Sequence, residues 1–472
     1  MMNSVSPGPG DGDGGGGGDG RSGGGAQPQK PALTARRMAG WGVGAFASNA
    51  FNTLPGLLLL VYMTDALGVP AALAGVVVAV PKLFDLVASP WFGAVSDREA
   101  GRTGRRGRLM ASGAVILPFA FVATFSSPVR GDLAALWVFA AFLTASAAYL
   151  CFQVPFTALP AEMADSTAER TKLMTWRTFF FALGMLVGGV AGPLLTEKGT
   201  PAAYRTMAVI IGVVLLVVLL VPVVSTRGVR SRPSADVPSL RAAVRTARGN
   251  RPFVLLSMIL FLYFVFTVMV LTGLPYVATY FLGGKKEQAV VFLVFALSST
   301  LAVPAAGALA RRYGNIATLV AGLVLWSAGS LALYVAVDIG IAATAVVSVL
   351  PALGQAAGLV ALFALLTDCM RMQSARTGHD SAGVLSGVWT AVDTAGHALG
   401  PLSYTLVLSL TGYASSTLDD PVTQSTAAIE GIRLGFSVLP GLLLLTTLPL
   451  VLRYRRAVAE PVGGPAACPA DA

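Results

Sequence analysis

Long apolar runs separated by short polar segments fill almost the whole chain from residue 38 onwards. A helix needs roughly 20 consecutive apolar residues to cross the hydrocarbon core of a bilayer, and most of these runs reach that length. The pattern therefore predicts an all-α membrane protein with about twelve transmembrane helices. We place them at 38–64, 71–96, 108–127, 133–159, 173–196, 203–225, 253–281, 287–310, 316–336, 340–368, 382–411 and 427–452.

The composition favours a membrane protein over a soluble one. Of the 472 residues, 55% are hydrophobic and only 12% are charged, and the mean hydropathy is +0.72. So few charges cannot cover the surface of soluble domains of this total length. The net charge of +10 comes largely from arginines in short turns between spans, so it indicates membrane orientation and argues against a nucleic-acid partner.

The sequence lacks the residue patterns that are typical of an enzyme. Its three cysteines, Cys151, Cys369 and Cys468, have no paired spacing, so they predict neither a disulfide framework nor a zinc site. No nucleophile–base, phosphate-cradling or metal-ligand spacing occurs along the sequence. We therefore expect no catalytic residue, no metal site and no cofactor.

Basic residues concentrate in alternate connections between the spans. Positive charge marks the cytoplasmic side of a membrane protein, so we expect these loops and both termini in the cytoplasm, with the protein in the inner or plasma membrane. The basic loops carry Arg98, Arg102, Arg105, Arg106 and Arg108, then Arg170 and Lys172, the run 227–251, Arg311 and Arg312, and Arg371 and Arg376; the other loops carry only Arg130, Lys198, Arg205, Lys285 and Lys286.

The longest interior polar stretch, 226–252, separates two sets of six spans. We predict a first half at 34–225, a basic cytoplasmic linker at 226–252 and a second half at 253–453. The Gly- and Pro-rich ends, 1–33 and 454–472, cannot bury enough apolar surface to fold and are predicted to be disordered cytoplasmic tails. Two six-helix halves are the plan of transporters that bind their solute between repeated halves.

Lys82 and Asp85 lie inside the second predicted span, three residues apart and on one helix face. One interpretation is an ion pair that only steers helix packing. Burying charge costs several kcal/mol even when it is paired, however, and charged residues inside a span usually mark a functional cavity. We therefore predict that Asp85 carries the coupling ion or proton.

Other polar residues lie inside predicted spans as candidate solute contacts. Asn49, Asn52 and Gln153 could bind solute or could hydrogen-bond neighbouring helices, which is common for amides in membranes. Arg177 could reach the membrane interface or could grip an anionic or polyhydroxylated ligand with its rigid donor fork. Asp393 and His397 lie four residues apart on one face of the eleventh predicted helix. They could form a proton relay or a simple hydrogen-bonded pair.

Several stretches together resemble the glycoside–pentoside–hexuronide:cation symporter family of the major facilitator superfamily, typified by melibiose permease. The resemblance runs in order from about residue 40 to 453. The matching residues of the first half are Phe84-Asp85, Ser89-Pro90, Gly93, Asp97-Arg98, Gly104-Arg105-Arg106, Pro155-Phe-Thr-Ala-Leu-Pro-Ala-Glu162, Glu169-Arg170-Thr171 and Arg177-Thr-Phe-Phe. Those of the second half are Asn250-Arg-Pro-Phe253, Thr367-Asp368, Arg376-Thr-Gly378, Ala398-Leu-Gly400, Ile429-Glu-Gly-Ile-Arg433 and Pro440.

The resemblance implies the major facilitator fold and alternating access to a central cavity. Asp85 matches one cation-binding acid of the family, whereas the second acid is replaced by Ser89. Arg177 matches a sugar-site arginine of the family. Two sugar-binding acids are replaced by amides, Asn49 and Gln153, and the stacking tryptophan of the same site is replaced by Thr157.

A single protonatable acid suits a proton better than sodium, which wants several oxygen ligands. The end of the second span, at Asp97 and Arg98, resembles the gating loop of the superfamily. In that loop a carboxylate contacts a helix N-terminus or arginines in one state, and the contact breaks in another.

Together these observations predict a monomeric secondary transporter. It is expected to carry a small polar solute, such as a sugar or glycoside, by symport with H⁺ or Na⁺, with H⁺ favoured. Two alternatives remain open at this point: an exporter of a lipid-like or amphipathic compound, and a membrane sensor that does not transport. Apart from the solute, the expected partner is membrane lipid, whose anionic headgroups could contact the linker 226–252.

Overall fold

The computed structural model describes residues 34–164, 167–229, 248–377, 382–415 and 422–459. Helices account for nearly all of these residues, and the described part of the chain contains no β-strand. Within it, twelve long helical segments follow one another. Their bounds are Ala35–Ala66 (α1), Ala71–Thr103 (α2), Gly107–Thr124 (α3), Asp132–Met163 (α4), 167–195 (α5), Pro201–Ser225 (α6), Arg251–Leu282 (α7), Lys285–Tyr313 (α8), Asn315–Ile339 (α9), 341–377 (α10), Ala382–Leu410 (α11) and 426–459 (α12).

Eleven of the described segments are long and apolar enough to cross a membrane. The other segment, α11, has 29 residues and is therefore long enough, but it carries Asp393 and His397 in its middle. The predicted all-α membrane fold with about twelve helices is confirmed. Because α12 is interrupted at Ser437 and again after Leu445, only its part from Val438 to Val458 qualifies as a membrane span.

Several predicted helices end too early, and α1, α2 and α12 show why. Helix α1 continues past residue 64 to Ala66 because its last turn, Tyr62–Ala66, is a wider π-helical turn. Helix α2 continues past residue 96 to Thr103 and ends at Gly104, whose φ of 66° is the left-handed conformation that commonly closes a helix. Helix α12 continues past 452, so 454–459 are helical although we predicted a tail there. The rest of the predicted tails, 1–33 and 460–472, and most of the linker 226–252 lie outside the described residues.

The helices pack as two groups in chain order. In the first group α3 contacts α4 and α6, α1 contacts α5, and α2 contacts α4. In the second group α10 contacts α8 and α9, α7 contacts α11, and α9 contacts α12. The two groups meet mainly through three pairs of helices, α2 with α11, α5 with α8, and α1 with α7. These helices therefore form most of the boundary between the halves.

The two ends of the helix bundle differ. We call the end that carries the arginine-rich 104–106 turn the basic face. The opposite end, with the connections 67–70, 125–131, 196–200, 283–284 and 340 and the described residues 411–415 and 422–425, is the far face. Hydrogen bonds and ion pairs cross between the halves at the far face. They are Thr64 Oγ1 with Tyr276 Oη (2.9 Å), Tyr413 Oη to Asp65 Oδ1 (2.7 Å), Ser415 Oγ to Val69 O (2.6 Å), Lys285 Nζ to Tyr204 Oη (3.1 Å), and Lys286 Nζ with Glu197 Oε1 (2.7 Å).

Helix α2 shows the same asymmetry along its length. Near the far face Ala74 and Val78 are buried, and Gly75 packs directly against Thr405 of α11. Towards the basic face Val87 and Trp91 are 75% and 64% exposed. The structure is therefore closed at the far face, and α2 is packed most tightly there.

Candidate substrate and ion site

Lys82 and Asp85 of α2 form an ion pair inside the membrane-spanning part of the chain. Lys82 Nζ lies 3.7 Å from Asp85 Oδ2, and the two side chains are only 15% and 9% exposed. The other carboxylate oxygen, Asp85 Oδ1, is buried without a hydrogen bond of good geometry, although the hydroxyl of Ser146 on α4 lies close enough to interact with the carboxylate. An orphaned carboxylate oxygen in a buried site is costly, so this position is poised to take up a proton or another donor.

The ammonium group of Lys82 is held by more than its carboxylate. It donates to Asn52 Oδ1 on α1 at 2.9 Å. It also lies 5.2, 5.8 and 6.0 Å from the ring centroids of Phe51, Phe142 and Tyr149, which is within the range of cation–π attraction. The charge of Lys82 is therefore stabilised from three helices.

A chain of polar contacts runs on from Lys82 across α1 to α4. Asn52 Nδ2 donates to Ser48 O at 2.8 Å and to Tyr149 Oη at 3.3 Å. One turn earlier on α1, Ser48 Oγ donates to Gln153 Oε1 at 2.6 Å. The predicted residues Lys82, Asp85, Asn52 and Gln153 are therefore brought together, and Ser48 and Tyr149 join them.

Asn49 plays a different part from Asn52. It is buried, and its Nδ2 donates to the backbone oxygen of Phe181 on α5 at 2.9 Å. Its Oδ1 accepts from Thr53 Oγ1 at 3.3 Å. Both polar atoms of Asn49 are therefore hydrogen-bonded where α1 packs against α5, which favours the helix-packing interpretation for Asn49. The amide that contacts the site is that of Asn52.

Arg177 is held near this site by close packing of its helix. A Cβ atom at Gly42 of α1 would lie 2.9 Å from Trp176 Cβ, so the absence of a side chain lets α1 and α5 approach closely. The guanidinium of Arg177 is half-buried and close enough to Tyr149 to act on it electrostatically. Within the described residues Arg177 has no hydrogen-bond or ion-pair partner, so its donors are available to a ligand.

Thr157 and Ser89 complete the predicted first-half positions. Thr157 is exposed, and its hydroxyl donates back to Gln153 O and Val154 O of its own helix at 3.1 and 3.0 Å. Ser89 is half-buried one helical turn beyond Asp85 on α2. Neither brings a second charge to the site.

Asp393 and His397 form a separate pair on α11. His397 Nδ1 lies 3.6 Å from Asp393 Oδ1 and 3.0 Å from the backbone oxygen of Asp393, with both side chains partly exposed. The His397 ring lies 4.5 Å from that of Phe264 on α7. In the described part of the chain no hydrogen bond or ion pair links this pair to the polar chain around Lys82.

The predicted gating residues lie at the basic end of α2. Asp97 Oδ1 pairs with Arg106 Nη1 at 2.6 Å, whereas Arg98 is exposed. Arg106 is only 6% exposed and also binds Glu162 Oε1 of α4 at 2.9 Å and Ser96 Oγ at 2.9 Å. The arginine that Asp97 meets is therefore Arg106, and the contact stays within the first six helices.

Comparison with known proteins decides the family. A family model described as MFS/sugar transport protein matches residues 40–456. The chain belongs to this family. As a member of the MFS/sugar transport family it is a membrane transporter, and the predicted resemblance to the glycoside–pentoside–hexuronide:cation symporters is confirmed.

The relatives of this MFS/sugar transport protein match over most of their length. It is 26% identical to the uncharacterized symporter YnaJ of Bacillus subtilis (strain 168), over 87% of this chain and 89% of the relative. It is 25% identical to the glucuronide carrier protein homolog of Escherichia coli (strain K12), over 86% and 90%. Its fold matches a bacterial homolog of the human lysosomal transporter Spinster with a TM-score of 0.72, at 13% identity, over 92% and 100%.

One acid of this MFS/sugar transport protein escaped sequence analysis. Asp65 is not among the predicted site residues, because the first span was expected to end at residue 64. Asp65 lies in the π turn that extends α1, half-buried and hydrogen-bonded to Tyr413 and Thr64. The only sign of this residue in the sequence is that it directly follows an apolar run. An acid in an ordinary loop occupies the same position, so the sequence does not distinguish the two.

Proposed function

We propose that this transporter carries a small hydroxyl-bearing solute by symport with protons, and that Asp85 is the proton-carrying group. The observation that carries the proposal is the ion pair between Lys82 and Asp85, 3.7 Å apart on α2 in the membrane-spanning region. Ionisable groups in this environment are costly and are retained in transporters as ion or proton sites.

The surroundings of the pair favour a proton over sodium as the coupling ion. The ammonium of Lys82 already stands where a free cation would approach the Asp85 carboxylate, and a second full positive charge beside it would be repelled. A proton adds no bulk and leaves a neutral acid. Lys82 would then still be held by Asn52 at 2.9 Å and by the three aromatic rings, so the site tolerates both states of Asp85.

The polar groups around the pair suit a polyhydroxylated solute. Asn52, Gln153 and Tyr149 offer amide and hydroxyl groups that both donate and accept hydrogen bonds. Arg177, without a protein partner among the described residues, supplies donors for hydroxyls or for a carboxylate of the solute. A relative named for glucuronide transport fits this combination, and we extend the solute class to sugars and sugar acids.

Transport proceeds by alternating access between the two halves. The structure is closed at the far face, where the hydrogen bonds between the halves lie. We place the basic face in the cytoplasm of the inner or plasma membrane, following the bias of arginines towards the cytoplasm, with both described chain ends on that side. We further propose that the transporter acts as a monomer in contact with membrane lipid and without a cofactor.

Transport into proteoliposomes tests this proposal. A thermal-shift screen of hexoses, pentosides and hexuronates on purified protein identifies a solute, whose radiolabelled form is then followed under an inward proton gradient. The expected result is that Asp85→Asn abolishes uphill accumulation but still exchanges solute across the membrane, while the matched variant Ser89→Ala on the same helix accumulates it.

Three outcomes would contradict the proposal. Full accumulation by Asp85→Asn removes Asp85 as the coupling group, and accumulation driven by a sodium gradient alone replaces the proton. Solute movement only against the inward gradient, in exchange for protons, indicates an exporter.

A further inference from the structure

The far face contains a second buried acid that the transport site described above does not use. Asp65 belongs to the first half, and its Oδ1 accepts two hydrogen bonds, from Tyr413 Oη at 2.7 Å and from Thr64 Oγ1 at 2.7 Å. Tyr413 belongs to the second half, just beyond the end of α11. The bond between Asp65 and Tyr413 therefore joins the two halves directly.

Aromatic hydroxyls surround this acid. Six of the eleven tyrosines of the chain lie in this layer: Tyr62, Tyr204, Tyr276, Tyr280, Tyr404 and Tyr413. Tyr280 Oη lies 3.1 Å from Tyr413 Oη, and Tyr276 Oη lies 2.9 Å from Thr64 Oγ1. The nearest opposite charge is the buried Lys285, whose Nζ donates to Tyr204 Oη at 3.1 Å rather than to Asp65 itself.

The hydroxyl of Tyr413 is the donor that makes the closed arrangement tolerable. Burial, together with the neighbouring Asp65 carboxylate, raises the pKa of Tyr413, so its hydroxyl keeps its proton and remains a donor. A carboxylate removed from water without such donors carries a large desolvation cost. When the far face opens, water can replace the hydroxyl, so the need for Tyr413 exists only in the closed state.

We propose that Asp65 and Tyr413 form the latch of the far face, in which the Tyr413 hydroxyl supports the buried carboxylate and thereby holds the two halves closed at this end. The proposal rests on alternating access, which is part of the proposed function, but it concerns residues that the solute and proton site does not contain. It predicts that removing the hydroxyl alone shifts the protein towards an opening of the far face.

Distances between spin labels test the latch without any solute. Labels are attached to cysteines placed at Val129, in the 125–131 connection of the first half, and at Ile339, the last residue of α9 in the second half, after the native cysteines are replaced by alanine. These two positions are 37% and 72% exposed. Tyr413→Phe should raise the ratio of the longer, open distance to the shorter one about tenfold, which corresponds to about 1.4 kcal/mol. Thr64→Val removes the other donor to Asp65 together with the bond from Thr64 to Tyr276 across the halves, and should shift the ratio in the same direction.

Two further variants separate the latch from general packing. Tyr404→Phe removes a hydroxyl in the same layer that binds Ile432 O within its own half at 3.3 Å, so the distance ratio should stay at the parent value. Combining Asp65→Asn with Tyr413→Phe removes the charge that needs the donor and should return the ratio most of the way towards the closed state.

The latch is refuted if Tyr413→Phe and Thr64→Val both leave the distances unchanged, if Tyr404→Phe opens the face as much as Tyr413→Phe, or if the double variant stays as open as Tyr413→Phe. None of these results depends on a solute or a proton gradient. A failure of the proposed symport with these shifts intact would leave the latch standing, and the reverse result would leave the proton site standing.

Discussion

Replacement of Lys82 by methionine isolates the charge that balances Asp85. Methionine keeps the length of the side chain and can still contact Phe51, Phe142 and Tyr149, but it leaves the carboxylate of Asp85 buried without its counter-charge. We therefore expect Lys82→Met to be strongly destabilising.

The structure sets the size of the effect. Removing one partner of a buried ion pair lowers the free energy of unfolding by about 3–5 kcal/mol, mainly because the remaining charge is buried without a counter-charge. Exposure of 15% and 9% for Lys82 and Asp85 admits some water, which places the cost near the lower end of this range. Loss of the cation–π attraction is largely offset by contacts of the methionine sulfur with the same rings, each worth about 1 kcal/mol.

Replacing Asp85 instead of Lys82 should lower the free energy of unfolding by less. In Asp85→Asn the ammonium of Lys82 keeps its bond to Asn52 and its aromatic neighbours, so we expect a loss of about 1–2 kcal/mol, as for an ordinary polar contact. The double variant, Lys82→Met with Asp85→Asn, leaves no charge in the site and should be more stable than Lys82→Met alone. Lowering the pH should also stabilise Lys82→Met relative to the parent protein, because protonation removes the negative charge of Asp85 that Lys82 no longer balances.

Denaturant unfolding of the purified protein in lipid–detergent mixtures, followed by tryptophan fluorescence, measures these differences, with Ser89→Ala as the control on the same helix. A loss below about 1 kcal/mol for Lys82→Met, or a double variant no more stable than the single one, would show that the pair does not carry balanced charges. In that case the proton-carrying role of Asp85 would lose its structural basis.

Two further predictions concern solute binding and closure. Arg177→Ala should weaken binding of an anionic sugar by about 10- to 100-fold in calorimetry, in keeping with a charge-assisted hydrogen bond of about 1.5–3 kcal/mol, while Thr157→Ala should leave it nearly unchanged; equal affinity in both variants would remove Arg177 from the site. Gly75→Val should hinder closure at the far face, because even a Cβ atom at Gly75 would lie 2.9 Å from Thr405 Cβ on α11. The rate at which a reagent labels a cysteine introduced at the far face should therefore rise. Unchanged labelling would show that α2 and α11 need not approach this closely.

The sequence predicted the membrane fold well because membrane spans have a strong signal. A run of about 20 apolar residues has few alternatives in a bilayer, so the number and order of the helices followed from hydropathy alone. Helix ends were less predictable: the long α2 continues through Asp97 and Arg98 because a charged helix is stable once it leaves the membrane and is closed by Gly104.

The contents of the site were predicted only in part. Lys82 and Asp85 were identifiable because charge inside an apolar run is rare. The choice between Asn49 and Asn52 was not, because the two amides are only three residues apart on α1. Only the packing of α5 and α2 shows that Asn49 binds Phe181 and Asn52 binds Lys82. The partner of Asp97 also depended on tertiary structure, because several arginines follow Asp97 and only Arg106 is folded back against it.

The π turn at the end of α1 has a consequence for how its side chains are aimed. In such a turn the backbone hydrogen bonds join residues five apart instead of four, so side chains in and after it are rotated around the helix axis relative to a regular α-helix. Similar turns occur at Val187–Ala191 of α5 and Ala278–Leu282 of α7, the latter also at the far face. The direction in which Asp65 points is therefore set by the winding of the backbone, and deletion of one residue from that turn would present a different side chain to the second half.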